Sequence, residues 1–155
     1  MRRLTSVASI ASAMLVAAIA LTGCASSTQI AITSAYVPQP TTPGTTVAYL
    51  DIRNNGRADR LVAASTSVGG TVQLRARVES PTGALVMRPV PDIPIPADSL
   101  VRLNPDSYQL LITGAGPMHD GKDIWLLLTF ADAGTIQVLA QVTDPQTGGS
   151  SYFLN

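Results

Sequence analysis

The chain contains one cysteine and one histidine among its 155 residues, and only 13% of its residues are charged. A single cysteine forms no disulfide within the chain and supplies no cluster of thiolates for a metal ion. Lys plus Arg and Asp plus Glu number ten each, so the formal net charge is zero. This composition lacks the basic field that nucleic-acid binding requires. We therefore expect no nucleic-acid partner and a fold that is stabilised by packing.

Long apolar runs are also scarce, and the one that exists lies at the start of the chain. It extends from about residue 7 to residue 21, carries no charge and follows Arg2 and Arg3. A membrane-spanning helix needs about 20 apolar residues, so this run is short for that role. A basic start, an apolar centre and small residues before a cut are typical of a signal peptide. We predict that residues 1–23 are removed and that the mature protein is extracytoplasmic.

Cys24 directly follows Leu21-Thr22-Gly23 at the end of that run. The ending resembles the bacterial lipobox, in which the cysteine thiol takes a diacylglyceryl group and the cut leaves this cysteine as the new N-terminus. An ordinary secretory signal with an incidental cysteine is the alternative. One acyl chain anchors a protein only marginally, so two or three chains would hold it on the membrane. We predict lipidation of Cys24 and a protein that is anchored to the cell membrane without spanning it.

The mature chain is long enough for one domain with a hydrophobic core. We assign residues 24–27 to the lipidated cysteine and a short polar tether, and residues 28–155 to a single domain. Loss of Arg2 and Arg3 leaves eight Lys plus Arg against ten Asp plus Glu. The acylated Cys24 would leave no free thiol for a disulfide, a thiolate metal site or a cysteine nucleophile.

Apolar and polar residues alternate through most of the mature chain. Ala48, Leu50 and Ile52 alternate with more polar neighbours, and the same pattern returns between Val72 and Glu79. A period of two with one polar face is typical of half-buried antiparallel strands. The pattern predicts an all-β, Greek-key β-sandwich of about nine strands. The predicted strands are 28–37, 48–53, 60–66, 72–79, 84–90, 100–103, 107–113, 123–131 and 134–142.

A series of short motifs runs in order through these strands. The motifs are Tyr36-Val37-Pro38, Pro43-Gly44, Ala48-Tyr49-Leu50-Asp51-Ile52-Arg53-Asn54, Asp59-Arg60-Leu61-Val62, Met87-Arg88-Pro89-Val90, Ile95-Pro96-Ala97, Leu128-Thr129-Phe130 and Ala133-Gly134. The series resembles the PCu(A)C family of periplasmic copper chaperones and covers most of the mature chain. The resemblance implies a cupredoxin-like, immunoglobulin-like sandwich. It also implies Cu(I) carriage and delivery to the copper centre of cytochrome oxidase.

The copper motif of that family is a His, then a Met, then a His-x-Met pair. On this chain the resemblance places these four positions at Arg75, Met87, Gln109 and Leu111, so Met87 alone is retained. Cu(I) is a soft ion that needs several thioether or imidazole donors, and a guanidinium has no lone pair to offer. Alternation puts Arg75 on the polar face of its strand. We therefore expect a surface patch at these positions and no bound copper.

Met118 and His119 offer the alternative metal site. Together with Met87 they would form a noncanonical Met/His site for Cu(I), although an exposed turn without a ligand role is the favoured interpretation. His119 beside Asp120 also raises the question of hydrolytic chemistry. The sequence has no serine in a nucleophile elbow, and an adjacent His-Asp pair in a loop lacks the geometry of a catalytic triad. We predict that the protein is not an enzyme.

Two surface features are candidates for partner binding. Trp125 has the opposite parity to the core-facing residues of its strand and shares its face with Leu127. Burial on both faces of the strand is the favoured interpretation; if Trp125 is exposed, it is a candidate anchor for a partner. Arg53, Arg57 and Arg60 form a small basic patch around a turn, and a solvated turn explains them equally well.

Two functional hypotheses follow. The favoured one is a membrane-anchored, non-enzymatic interaction or accessory module, similar to the divergent actinobacterial lipoproteins of the LpqE type. Its partner would be an extracytoplasmic membrane assembly such as the terminal oxidase, or a component of copper homeostasis. The alternative is a functional Cu(I) chaperone that delivers copper to cytochrome oxidase through a noncanonical Met/His site.

Overall fold

The computed structural model describes residues 29–144, and within this range it contains ten β-strands and no helix. The described residues therefore include no helix that could cross a membrane. The predicted signal peptide, Cys24 and the tether lie outside them. The strands are β1 (Ile30–Pro38), β2 (Thr45–Asn54), β3 (Asp59–Thr66), β4 (Thr71–Glu79), β5 (Leu85–Pro89), β6 (Ile93–Ile95), β7 (Ser99–Leu103), β8 (Tyr108–Thr113), β9 (Asp123–Phe130) and β10 (Gly134–Thr143).

The all-β prediction is confirmed, and each of the nine predicted strands matches one strand of the structure to within a few residues. The tenth strand, β6, was missed. It is three residues long and has Pro94 at its centre. Proline cannot donate a ladder hydrogen bond, so a proline-containing run does not look like a strand in the sequence. In the structure β6 is an edge strand that pairs only with β3, where such a proline is tolerated.

The strands form one sheet that curls on itself in the order β5-β4-β8-β7-β2-β1-β10-β9-β3-β6. Most neighbours are antiparallel, whereas β1 with β10 and β7 with β8 are parallel. The first half of β2 pairs with β8 and its second half with β7. Strand β2 therefore links the β5-β4-β8 region, which contains Arg75, Met87, Gln109 and Leu111, to the N-terminal strand β1.

The core consists of the residues on one parity of each strand. On β2, Ala48, Leu50 and Ile52 are fully buried, while Arg53 between the core positions is exposed. Leu126 and Leu128 on β9 face the same interior. This alternation leaves one face of every strand on the outside, and the candidate functional residues lie on those outer faces or in the loops between them.

Candidate functional site

The four positions that the resemblance assigns to the family's copper ligands lie on one face of three adjacent strands. Arg75 on β4 is directly opposite Gln109 on β8, so the two side chains share a face. Leu111 lies two residues beyond Gln109, and Met87 on β5 is opposite Arg77, two residues beyond Arg75. Diagonal cross-strand neighbours of this kind are about 7–8 Å apart. The register therefore places Gln109, Leu111 and Met87 each next to Arg75. Met87 and Leu111 themselves are opposite Arg77 and Gln73, about 13 Å apart along β4.

Arg75 occupies the centre of this face. Its Nη2 donates a hydrogen bond of 2.6 Å to the main-chain oxygen of Met87, so the side chain reaches from β4 to β5. The Nε of Arg75 is buried and has no hydrogen-bond partner among the described residues. The guanidinium therefore lies beside Met87, the one assigned position that carries a soft donor.

The chemistry of this face does not suit Cu(I). Among the four positions only Met87 carries a soft donor, and a cation near Arg75 is repelled by the guanidinium. Arg77, on the same face, adds a second positive charge that is paired with Asp106 at the surface. No group of three or more His, Cys, Asp or Glu side chains converges anywhere in residues 29–144.

The alternative ligands, Met118 and His119, lie in the loop after β8. Met118 is 5% exposed and packs in the core, whereas His119 is exposed. The loop lines a shallow groove of about 360 Å³ with Gln39 and Pro43. The loop begins after Thr113, which pairs with Thr71 of β4. Met87 pairs with Arg77, six residues further along β4. At about 3.3 Å per residue the start of the loop is about 20 Å from Met87. The loop then passes Val68, which precedes β4 and accepts the Gly116 N–H, so the structure does not bring Met87 to Met118 and His119.

The favoured interpretation of Trp125 as buried on both faces is wrong. Trp125 is 41% exposed and lies opposite Leu139 of β10, which is 44% exposed. Strand β9 is central in the sheet, but its outer face is not covered by a second layer of the described structure. Leu127, two residues on, is partly buried on the same face. Trp125 and Leu139 thus form an exposed apolar pair, which we call the Trp125–Leu139 pair.

The three arginines of the predicted basic patch have different surroundings. Arg60 is bound to Asp92 at 3.1 Å, so its charge is already paired. Arg53, at the end of β2, and Arg57, in the following turn, are exposed and have no ion pair among the described residues. The turn between them approaches the start of β1, where the Asn55 N–H donates to the main-chain oxygen of Gln29 at 3.0 Å.

A fully buried side chain, Asn54, holds this turn in place. Its amide nitrogen donates to the main-chain oxygens of Arg57, at 2.6 Å, and Pro96, at 3.0 Å. Its carbonyl oxygen accepts the N–H of Gly56 at 2.9 Å. The burial of Asn54 was not predicted from the sequence. Its signal, an asparagine at the end of an alternating strand, is shared by many exposed turns.

Asp59, at the start of β3, is the second buried polar residue of this region. Its carboxylate accepts main-chain N–H groups of Arg60 at 2.7 Å, Asp132 at 3.0 Å and Ala133 at 2.9 Å. Burial alone would raise the pKa of Asp59, but these hydrogen bonds outweigh it and lower the pKa. Asp59 therefore fastens the β2–β3 loop to the β9–β10 turn as an anion.

Solved structures with the same fold define the class of this domain. The copper-bound PCuAC domain from PmoF2 superposes with a TM-score of 0.62 at 21% identity and covers 75% of this chain and 93% of that one. The solution structure of Cu(I)-bound DR1885 from Deinococcus radiodurans has a TM-score of 0.57 at 25% identity, with coverage of 76% and 78%. The domain is thus a PCuAC-like β-sandwich, as the motif series predicted.

The sequence comparisons narrow this class to one family. The family described as "LpqE-like: Putative lipoprotein LpqE-like" matches residues 30–142. The Leifsonia xyli subsp. xyli protein named "Putative lipoprotein Lxx21020" is 27% identical over 111 residues, which are 70% of this chain and 67% of that protein. The chain belongs to the LpqE-like family.

Proposed function

We propose that this LpqE-like protein is a membrane-anchored, extracytoplasmic accessory lipoprotein that binds a partner and does not carry Cu(I) at the family's copper position. The membrane anchor is lipidated Cys24, which is supported by the Leu21-Thr22-Gly23 ending of the signal peptide and by the lipoprotein family to which the chain belongs. The protein is non-enzymatic. Its partner is an extracytoplasmic membrane assembly such as a terminal oxidase, or a component of copper homeostasis.

One observation carries the copper part of the proposal: the guanidinium of Arg75 is hydrogen-bonded to the main chain of Met87, the only assigned position with a soft donor. A copper ion there would lack three of the four family ligands and would meet a fixed positive charge. The PmoF2 domain and DR1885 were solved with copper bound. The same sandwich can therefore hold copper, and the difference in this chain lies in the side chains.

The Trp125–Leu139 pair supports the partner-binding part of the proposal. Tryptophan is enriched among the residues that carry most of the binding free energy at protein interfaces. Trp125 and Leu139 lie on β9 and β10, whereas the positions assigned to copper lie on β5, β4 and β8. The partner surface that we propose therefore consists of residues other than the assigned copper positions.

Competition with a Cu(I) chelator tests the loss of copper binding. The parent protein should retain Cu(I) no better than a control protein with scattered methionines. The combined change Arg75→His, Gln109→His and Leu111→Met should create tight one-to-one binding, because it supplies two imidazoles and a second thioether beside Met87 and removes the charge. The same triple change with Met87→Leu is the matched control and should bind more weakly.

The alternative function, a Cu(I) chaperone with a noncanonical site, makes the opposite prediction. Tight one-to-one binding by the parent protein would contradict our proposal. Met118→Leu and His119→Ala would then locate the ligands. If the folded triple variant fails to bind Cu(I), the correspondence between Arg75, Gln109, Leu111 and the family's ligands must be withdrawn.

A further inference from the structure

The basic turn of the sandwich lies next to the point where the chain leaves for its lipid anchor. The Asn55 N–H is bonded to the main-chain oxygen of Gln29, and Ile30 pairs with Asn54. Gln29 is five residues from Cys24, which an extended chain spans in at most about 18 Å. A domain that is attached to the membrane through Cys24 therefore has the turn at Asn54–Arg57 within reach of the lipid headgroups.

The charges of this turn are complementary to an anionic surface. Arg53 and Arg57 are exposed and have no ion pair among the described residues, whereas Arg60 is neutralised by Asp92. The carboxylate of Asp59 is buried and bonded to main-chain N–H groups. Two exposed acidic side chains near the turn oppose the two arginines. Asp98 comes just before the β7 residue that pairs with Asn54, and Asp132 lies in the β9–β10 turn, where its N–H is bonded to Asp59.

The opposite end of the sandwich lacks this arrangement. Strand β1 runs from Ile30 beside the turn to Pro38, about 26 Å away at 3.3 Å per residue. Around Pro38 lie Thr41, the His119 loop and Lys122, whose main-chain oxygen accepts the N–H of Val142. Lys122 is exposed, has no basic neighbour in the sequence and is followed by Asp123.

We infer that Arg53 and Arg57 contact the anionic headgroups of the bilayer that holds the lipid anchor and orient the sandwich with its Asn54–Arg57 turn toward the membrane. This inference rests on the proposed anchor at Cys24. In this orientation the Trp125–Leu139 pair, on the outer face of β9 and β10, projects sideways from the sandwich. It stays accessible to a partner in the same membrane.

Resonance energy transfer from the protein to labelled lipid headgroups tests the orientation. Acylated Cys24 leaves no other thiol, so Asn55→Cys at the turn and Thr41→Cys at the far end each provide a single site for a donor dye. The processed, acylated protein is reconstituted into phosphatidylcholine vesicles with or without phosphatidylglycerol. We expect stronger transfer from the turn label than from the far label, and a larger difference in the anionic vesicles.

Charge variants give this experiment its controls. Replacing Arg53 and Arg57 by Gln should reduce the ratio of turn-down to turn-up orientations by about fivefold for each arginine. Lys122→Gln, with the same charge change at the far end, should have no such effect, and Asp98→Asn should increase the ratio. High salt should also reduce the ratio of turn-down to turn-up orientations, because it screens the attraction between the arginines and the headgroups.

Three outcomes would overturn the inference. Equal transfer in anionic and neutral vesicles would exclude the proposed contact between the arginines and anionic headgroups. An unchanged signal in the Arg53→Gln, Arg57→Gln variant would exclude it as well. If Lys122→Gln had an effect of the same size, the net charge of the protein, and not the position of the two arginines, would explain the signal. Mass spectrometry of the same sample separates the two proposals. An acylated protein without preferred orientation contradicts this inference alone, whereas a protein without acyl chains contradicts the proposed anchor as well.

Discussion

Replacing the buried Asn54 should destabilise the domain far more than replacing its neighbour Asn55. Asn54→Ala removes two hydrogen bonds to the main-chain oxygens of Arg57 and Pro96 and one from the Gly56 N–H. At about 1 kcal/mol for each bond the free energy of unfolding falls by about 3 kcal/mol. Asn55 has an exposed side chain, so Asn55→Ala should change it by less than about 0.5 kcal/mol.

Urea denaturation of the two variants and the parent measures this difference. With a slope of about 1.5 kcal/mol per molar urea, Asn54→Ala should lower the midpoint by about 2 M and leave the slope unchanged. Asn54→Asp should be at least as damaging, because a carboxylate oxygen then faces the carbonyl oxygens that the amide nitrogen contacts. If Asn54→Ala costs no more than Asn55→Ala, the buried asparagine does not fix the turn and the argument from its hydrogen bonds is refuted.

Four further perturbations test other parts of the account. Cys24→Ser should abolish acylation and membrane retention in fractionation with mass spectrometry; processing and retention as before would contradict the lipid anchor. Leu128→Asp should unfold the domain in circular dichroism, because an unpaired buried carboxylate costs several kcal/mol; a folded variant would contradict the core assignment. Asp59→Asn should cost about 2 kcal/mol at neutral pH. The pKa of Asp59 is lower in the folded state, so this cost should shrink as the pH falls below about 4 and through the folded pKa, and a pH-independent cost would exclude an ionised Asp59. Trp125→Ala should leave the free energy of unfolding within about 1 kcal/mol of the parent but reduce recovery of the partner in crosslinking from membranes, and undiminished recovery would exclude Trp125 as the anchor.

Alternation of apolar and polar residues was sufficient to predict most of the fold. It indicated nine of the ten strands and the inward-facing residues of β2 and β9, because a side-chain period of two is a local property of the chain. It failed at β6, where Pro94 hides a strand that exists only because β3 lies beside it. It also failed at Trp125, since the parity of a strand residue gives its face but does not say whether another layer covers that face.

For the candidate sites, too, some features follow from the sequence and others only from the tertiary structure. The sequence by itself determined which chemical groups are present: one cysteine at the end of a signal-like segment, and Arg75, Gln109 and Leu111 at the positions that the resemblance assigns to copper ligands. Only the tertiary structure decided which residues meet, because strands distant in sequence become neighbours through ladder hydrogen bonds. It put Arg75 against Met87, packed Met118 in the core in a loop that begins about 20 Å from Met87 along β4, and brought Asn55 of the basic turn to Gln29 near the predicted anchor.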